Sequence, residues 1–356
     1  MSEDKVYRAI GLMSGTSLDG EIDVALLETD GRSYVKPINF YAHPYDLAVR
    51  NKVRACFGKR DVDDDVREAE ALITDLHISA VIASGFEADV IAFHGQTITH
   101  VPEDGFTWQL GDGKRMATEM GTDVIYDFRK NDMKYGGQGA PLTPLYHRAI
   151  MSGQDLPVAV LNLGGVANVT YIAADGNLIA FDCGPANALM DDYVSAHLGM
   201  DYDPDGTFAA QGHVNAQALT AFVKHPFFGV KPPKSLDRNA FEASLPALPP
   251  SPKDALATLA AFTVEGVFRA LEHFPAPPIA WYVCGGGGKN AHIMNALAAR
   301  LGAPVKPIDV LGYDGDAIEA QCFAYLAVRS LLGLELSLPE TTGVATAQSG
   351  GVLHKP

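Results

Sequence analysis

The sequence predicts a duplicated α/β protein of two related domains with a cleft between them. Three observations carry this. The chain has 356 residues, more than one hydrophobic core usually organises. A pattern of strand, glycine turn, strand, Asp-Gly turn, strand occurs twice, about 150 residues apart, and each copy is followed by helical periodicity. Apolar residues make up 47% and charged residues 20% of the chain, a balance that fills two cores and gives no case for disorder.

In the first copy, residues 7–13 are a short apolar run broken at Ser14-Gly15-Thr16-Ser17, and 22–28 resume with Val24 and Leu26 alternating against Asp23 and Ala25. Two strands joined by a turn fit this pattern. Asp30-Gly31 allows the positive φ of a tight hairpin, so 34–41 is a third strand. Residues 61–84 carry Val66, Leu72, Ile73 and Leu76 at helical spacing, and Val90–Phe93 reads as a buried strand ending at His94-Gly95-Gln96. In the second copy the strands are 157–162, 167–173 and 178–181, punctuated by Gly164-Gly165 and Asp175-Gly176. Helices are predicted over 186–198, 254–273, 290–301 and 315–332, with a strand over 279–284. The Pro-rich stretch 226–252 reads as a surface excursion. The first domain is placed at 1–135, with the tail 340–356 able to pack back on it, and the second at 136–339.

The formal charge is −16, from 27 Lys+Arg against 43 Asp+Glu. Phosphate neutralisation along a nucleic acid needs clustered cations, so such binding is not expected. Cys56, Cys183, Cys284 and Cys322 are widely spread, which suits free thiols in a reduced compartment and not structural zinc. The N-terminus lacks the charged-then-apolar layout of a signal peptide, and no apolar stretch approaches membrane-spanning length. A cytoplasmic protein without a membrane partner is expected.

Nine of the 35 glycines collect at three turns. Gly11-Leu12-Met13-Ser14-Gly15-Thr16-Ser17-Leu18-Asp19-Gly20 has small residues whose amides can approach an anion, hydroxyl donors, and in Asp19 a carboxylate able to hold a divalent cation beside a polyphosphate. The same composition also makes an ordinary hairpin turn. Gly164-Gly165-Val166-Ala167-Asn168 occupies the equivalent place in the second copy. Cys284-Gly285-Gly286-Gly287-Gly288-Lys289-Asn290 fails as a Walker loop but matches a dinucleotide fingerprint through Gly286, Gly288 and Ala291, with Asp309 beyond. An NAD-dependent oxidoreductase is therefore an alternative, as is a non-catalytic sugar or nucleotide sensor.

Asp182 closes the third strand of the second copy, before a helix for which Gly184 suits the N-cap and Pro185 the first position. Such a carboxylate is a candidate general base, or simply a partner for helix-terminal amides. His94, Gln96, Arg129, Asp132 and Gln138 supply the mixed donors and acceptors that a polyhydroxylated ligand needs. Glu319 stands in the first turn of the last helix, where the helix dipole alone favours a carboxylate. His94 and His100 have no carboxylate at metal spacing.

These strings resemble the anhydro-N-acetylmuramic acid kinases, of the actin, Hsp70 and sugar-kinase fold. The resemblance rests on the Gly11–Gly20 string, Phe93-His94-Gly95-Gln96-Thr97, Gly136-Gly137-Gln138-Gly139-Ala140-Pro141-Leu142, Leu161–Asn168, Phe181-Asp182-Cys183-Gly184-Pro185, Gly285–Asn290 and Asp316-Ala317-Ile318-Glu319-Ala320. It implies a duplicated actin-like (ribonuclease H-like) fold with a central cleft. The implied reaction converts ATP, water and 1,6-anhydro-N-acetylmuramic acid to N-acetylmuramic acid 6-phosphate and ADP, in cell-wall recycling. By the same resemblance Asp182 is the base. Gly15, Thr16, Ser17, Asp19 and Gly20 hold ATP phosphates and, through Asp19, magnesium. Gly164 and Gly165 form the second phosphate hairpin, and Gly286 and Gly287 border adenosine. His94, Gln96, Arg129, Asp132, Gln138 and Glu319 line the sugar, and the protein is a homodimer. Two departures stand out. Glu21 adds a residue after Asp19-Gly20, predicting a β-bulge beside the phosphate turn, and Ala186 stands where the family more often has Gly.

Overall fold

The computed structural model describes residues 5–15, 18, 20–236, 241 and 245–356. In chain order it begins with the strands β1 (Tyr7–Met13), β2 (Glu21–Thr29) and β3 (Val35–Pro44), the helices α1 (Leu47–Arg54) and α2 (Asp64–Ser84), and β4 (Val90–Phe93), β5 (Gln96–Val101) and β6 (Phe106–Leu110). Then come α3 (Gly113–Met120), β7 (Asp123–Tyr126), α4 (Lys130–Lys134) and α5 (Pro144–Ile150). A second series follows: β8 (Val158–Leu163), β9 (Val166–Ile172), β10 (Leu178–Pro185), α6 (Asn187–Leu198), α7 (Ala216–Phe222), α8 (Pro252–Ala270), β11 (Ala280–Cys284), α9 (Ala291–Leu301) and β12 (Val305–Pro307). The chain closes with α10 (Ile318–Leu331), α11 (Pro339–Thr342) and β13 (Val352–His354).

Met1–Ser152 with Ala317–Pro356 form one compact unit, and Gly153–Asp316 form the other. The division thus falls after Ser152 and Asp316, where the sequence had placed it near 135 and 339. The reason is α10. It lies against β1, and its Gln321 accepts a hydrogen bond from Tyr146 of α5 at 2.7 Å, while the Tyr146 and Tyr325 rings meet at 5.6 Å. Both α5 and α10 are therefore parts of the first core.

Both sheets have one plan. In the first the strand order is β13-β7-β4-β1-β2-β3, and in the second β10-β9-β8-β11-β12. Each is an antiparallel meander (β1–β3, β8–β10) whose first strand pairs in parallel with the next sheet strand, β4 or β11. A further parallel strand follows, β7 or β12. This repeated meander-then-parallel order is the duplicated actin-like, ribonuclease H-like α/β fold. The hairpin turns follow their sequence signals: Asp30 accepts from Arg32 N at 2.7 Å, and Gly31 and Gly176 take φ of 68° and 82°.

The first core joins Ile10, Leu12, Val24 and Leu26 of the meander to Ile73, Val81, Ile91 and Phe93. Helix α2 starts where Asp63 accepts from Val66 N and stops at Gly85 with φ 66°, a left-handed cap that costs glycine nothing. The second core is aromatic, with Phe222 and Phe262 stacked at 4.2 Å. Phe227, Phe228 and Phe241 are buried in it, so the Pro-rich stretch 226–252 is not wholly a surface excursion. Its prolines interrupt regular structure, but its phenylalanines, with a large apolar area to remove from water, are drawn into the core.

Two local expectations are corrected. Strand β2 pairs with β3 from Glu21 and with β1 from Asp23 without a shift there, and its irregularity against β3 lies between Leu26 and Leu27. A bulge does occur beside a functional turn, but in β10, where the register shifts between Asp182 and Gly184. Nor does Gly184 cap α6. Strand β10 runs on until Pro185 faces Val166, and the helix begins at Asn187 after Ala186.

Candidate active site

In the first unit, β1 and β2 are joined by the turn that contains Gly15 and Gly20. Thr16, Ser17 and Asp19 lie outside the described residues. Around them, Leu18 N donates to Gly15 O at 3.1 Å, Gly20 has φ 103°, and its carbonyl accepts from Tyr45 N at 2.7 Å. Gln96, fully buried at the start of β5, donates through Nε2 to Gly15 O at 3.3 Å. Its Oε1 has no partner among the described residues. A buried acceptor left this way is costly unless a ligand or water completes it.

His94 and Arg129 form a unit. Arg129 Nε donates to His94 Nε2 at 3.1 Å, and Nη1 donates to Gly139 O at 2.8 Å. The other imidazole nitrogen, Nδ1, bonds Gly95 O at 2.7 Å. The ring is thus a neutral tautomer with its proton on Nδ1, which agrees with its pKa lying well below the ordinary value through burial and the Arg129 charge. Burial also lowers the Arg129 pKa, and Glu319 is the foremost group opposing that shift. Glu319 reaches this cluster because α10 lies on β1. Phe323, one turn further along α10, packs its ring 4.5 Å from His94 and 5.9 Å beneath the guanidinium.

Asp132 is placed differently. Its side chain is 2% exposed. Oδ2 accepts from Gly139 N at 2.6 Å, while Oδ1 accepts from Ser337 Oγ at 2.5 Å and Thr342 Oγ1 at 2.6 Å. Gln138 N donates to Thr342 O at 2.8 Å. Asp132 therefore braces the Gly137–Gly139 loop that carries Gln138 and receives Arg129. The sequence singled out neither Ser337 nor Thr342.

In the second unit, Asp182 is half-buried on β10 opposite Asn168 of β9. The following residue, Cys183, is the bulged one, and its thiol donates to Ala167 O at 3.3 Å. A bulge re-aims the side chain beside it. Leu236 N donates to Asp182 Oδ2 at 2.7 Å, and Asp182 N donates to Lys234 O at 3.0 Å. The helix-terminal amides go elsewhere: Ala186 N and Asn187 N donate to Gly165 O and Gly164 O at 3.1 and 2.9 Å. Asp182 is thus not the partner of the α6 terminus. Burial raises its pKa to about 7, with the Leu236 amide and then the Lys234 charge opposing.

Gly164 and Gly165 are held at the β8–β9 turn by these same bonds, with Gly165 exposed. Past β11 the chain enters a 3-10 turn, Gly286–Lys289. Gly286 is exposed, whereas Gly287 is buried, and a Cβ there would lie 2.6 Å from Leu163 Cβ. Asn290 caps α9 by accepting from Ile293 N at 3.1 Å. A dinucleotide-binding sheet would be parallel around its fingerprint strand. Here β11 is parallel to both β8 and β12, but beyond β8 the sheet turns antiparallel through β9 and β10 and only β12 follows β11, so the run of parallel strands is too short for a dinucleotide-binding sheet and the oxidoreductase reading gains no support.

The family model described as anhydro-N-acetylmuramic acid kinase matches residues 7–356. The chain is 49% identical over 362 residues to the anhydro-N-acetylmuramic acid kinase of Rhizorhabdus wittichii, covering 98% of this chain and 99% of that protein. It is 48% identical over 357 residues to the one from Paramagnetospirillum magneticum, with coverages of 98% and 99%. Among solved structures it is similar to a ROK family glucokinase from Streptomyces griseus in complex with glucose and AMPPNP. That likeness has a TM-score of 0.43 and 13% identity, covering 88% of this chain and 97% of that one. On its sequence relatives and the full-length match, the chain belongs to the anhydro-N-acetylmuramic acid kinase family.

Proposed function

We propose that the protein uses ATP and water to open the 1,6-anhydro bridge of anhydro-N-acetylmuramic acid and leave the phosphoryl group on O6, with Asp182 as the general base. The observation that carries this is Asp182 itself. It is a strand-held carboxylate beside a bulge, committed to one backbone amide, with a pKa of about 7, close to the operating pH at which a general base is most effective. In the anhydro sugar O6 carries no proton to remove. Water attacks C1, the C1–O6 bond breaks, and O6 takes the γ-phosphoryl group of ATP, releasing ADP. Asp182 accepts the water proton, as the base does in an inverting glycosidase.

Arg129, His94, Gln96, Gln138 and Glu319 receive the sugar, while Asp132 acts through the loop it braces. Arg129 has Nε and Nη1 committed within the protein, which orients the rest of its fork. The turns at Gly15–Gly20 and Gly164–Gly165 hold the phosphates, and Gly286 and Gly287 border the adenosine. Magnesium carried by ATP needs only one or two protein carboxylates beside the phosphate oxygens. By the family resemblance Asp19 would be that carboxylate. Magnesium would supply charge neutralisation on the transferred phosphoryl group. We further propose that the protein works as a homodimer in the cytoplasm. Among the described residues no helix is long and apolar enough to cross a membrane.

Turnover in water labelled with heavy oxygen is expected to place the label on C1 of the product sugar. Label found in the phosphate would mean ATP hydrolysis and would remove the ring-opening role. The pH dependence follows from the same carboxylate. Its pKa is raised, the active form is ionised, and so kcat/KM for the sugar should rise with pH through a limb near 7 and then level. A rate that is flat from pH 5 to pH 8 would contradict the assignment.

A further inference from the structure

Strand β10 presents Asp182 to a segment that the reaction scheme leaves unused. Lys234 is 6% exposed, unusual for a lysine that makes no ion pair among the described residues. Its ammonium donates to Phe227 O at 3.3 Å and lies 4.4 Å from the Phe227 ring centroid and 5.7 Å from that of Phe181, the residue before Asp182. The main chain of the same lysine accepts from Asp182 N, and two residues on Leu236 N donates to the carboxylate. One short segment therefore grips Asp182 at backbone and side chain while fixing a buried positive charge nearby.

We propose that Lys234 is a positioning residue for the base, its pinned ammonium steadying the ionised Asp182 carboxylate that its own backbone segment orients. The inference rests on Asp182 being the base. The physical ground is that a charge removed from water acts more strongly on its neighbours than an exposed one. Two aromatic faces and a carbonyl can keep a cation buried without neutralising it, as a carboxylate partner would. Burial lowers the pKa of Lys234, and Cys183, Glu272 and Asp182 oppose that shift. The titratable groups of this neighbourhood are thus Asp182 and Cys183 on β10, Lys234, and Glu272 and His273 after α8. The Cys183 thiol is pushed far up by burial and His273 is pushed down, so near neutral pH neither adds a charge that could replace the ammonium.

The test is the pH profile of kcat/KM for the anhydro sugar in full-length Lys234→Met, Lys234→Gln and Lys234→Arg, beside Asp182→Asn. Removing the cation should move the acid limb up by about one pH unit. The deficit should then be tenfold or more below the limb and smallest above it, with Arg keeping the limb where the native enzyme has it. Met and Gln variants that lose the same factor at every pH would show a merely structural lysine and overturn the inference. So would an Arg variant whose limb moves as far as that of Met. Should Met fail to fold, Gln, which keeps a polar end on a similar stem, decides. If Asp182→Asn keeps an acid limb near 7, the base assignment falls and takes this inference with it. If Asp182→Asn loses turnover while the lysine variants leave the limb in place, only the lysine inference falls.

Discussion

Replacing Asp182 with Asn is expected to lower turnover of the anhydro sugar by about 10²- to 10⁴-fold, the usual worth of a general base, while ATP binding persists. Asn keeps the shape of the side chain and an oxygen that can still accept from Leu236 N, so the 234–236 segment should stay in place. What is lost is the ability to take a proton from water. A second readout separates this from damage to the fold. The native carboxylate has a pKa of about 7, against about 3.9 in an unfolded chain. Between those values the folded protein holds a proton that the unfolded chain has released. Stability contributed by the protonated group is therefore full below about pH 4, declines as pH rises toward 7, and is absent above. Asn carries no such penalty. The variant should melt at a higher temperature than the native protein at pH 8, and that advantage should vanish near pH 4. A variant that is inactive and also less stable at pH 8 would have lost its structure, and its inactivity would then say nothing of a base. Near-native turnover at pH 8 would remove Asp182 from the role.

The meanders were legible in the sequence because short apolar runs and Asp-Gly turns are local signals: β1 and β8 are continuous buried runs, and β2 and β9 alternate over their first residues. Distant contacts left no such mark. Asp132 reads as a ligand-facing carboxylate in a polar loop, yet its partners Ser337 and Thr342 are 205 and 210 residues away. Pro185 suits the first position of a helix, having no N–H to satisfy, but its pairing with Val166 prolongs the strand. In the stretch 226–252 the prolines signal a surface excursion, but the apolar area of Phe227, Phe228 and Phe241 draws it into the core. Phe227 and Phe228, adjacent in sequence and followed by Lys234, were the available hint that this segment turns inward and reaches Asp182. The Arg129–His94 pair was partly legible: both residues stand in the polar, glycine-punctuated stretch, but their spacing does not show that the histidine accepts from the arginine.

Gly11→Ala should be the most damaging single-methyl change in the first unit. Gly11 sits mid-strand in β1, paired with Ala25 on one side and Ala92 on the other, where an alanine would ordinarily improve a strand. Here a Cβ would collide with the carbonyl oxygen of Ala320 and lie 2.7 Å from Ala324 N, both of them backbone atoms of α10. A side chain could rotate away, but a helix backbone must translate. Overpacking of this kind costs about 3 kcal/mol or more, a fall in Tm of roughly 6 to 12 °C for a unit of this size. The displaced helix carries Glu319 and Phe323, which act on Arg129 and His94. KM for the sugar should therefore rise in whatever fraction folds. Gly153→Ala is the control, because a Cβ there meets nothing within 4 Å, and it should be close to neutral. If Gly11→Ala melted with the native protein and kept its KM, α10 would not be seated on β1 as described, and the placement of Glu319 beside Arg129 would lose its support.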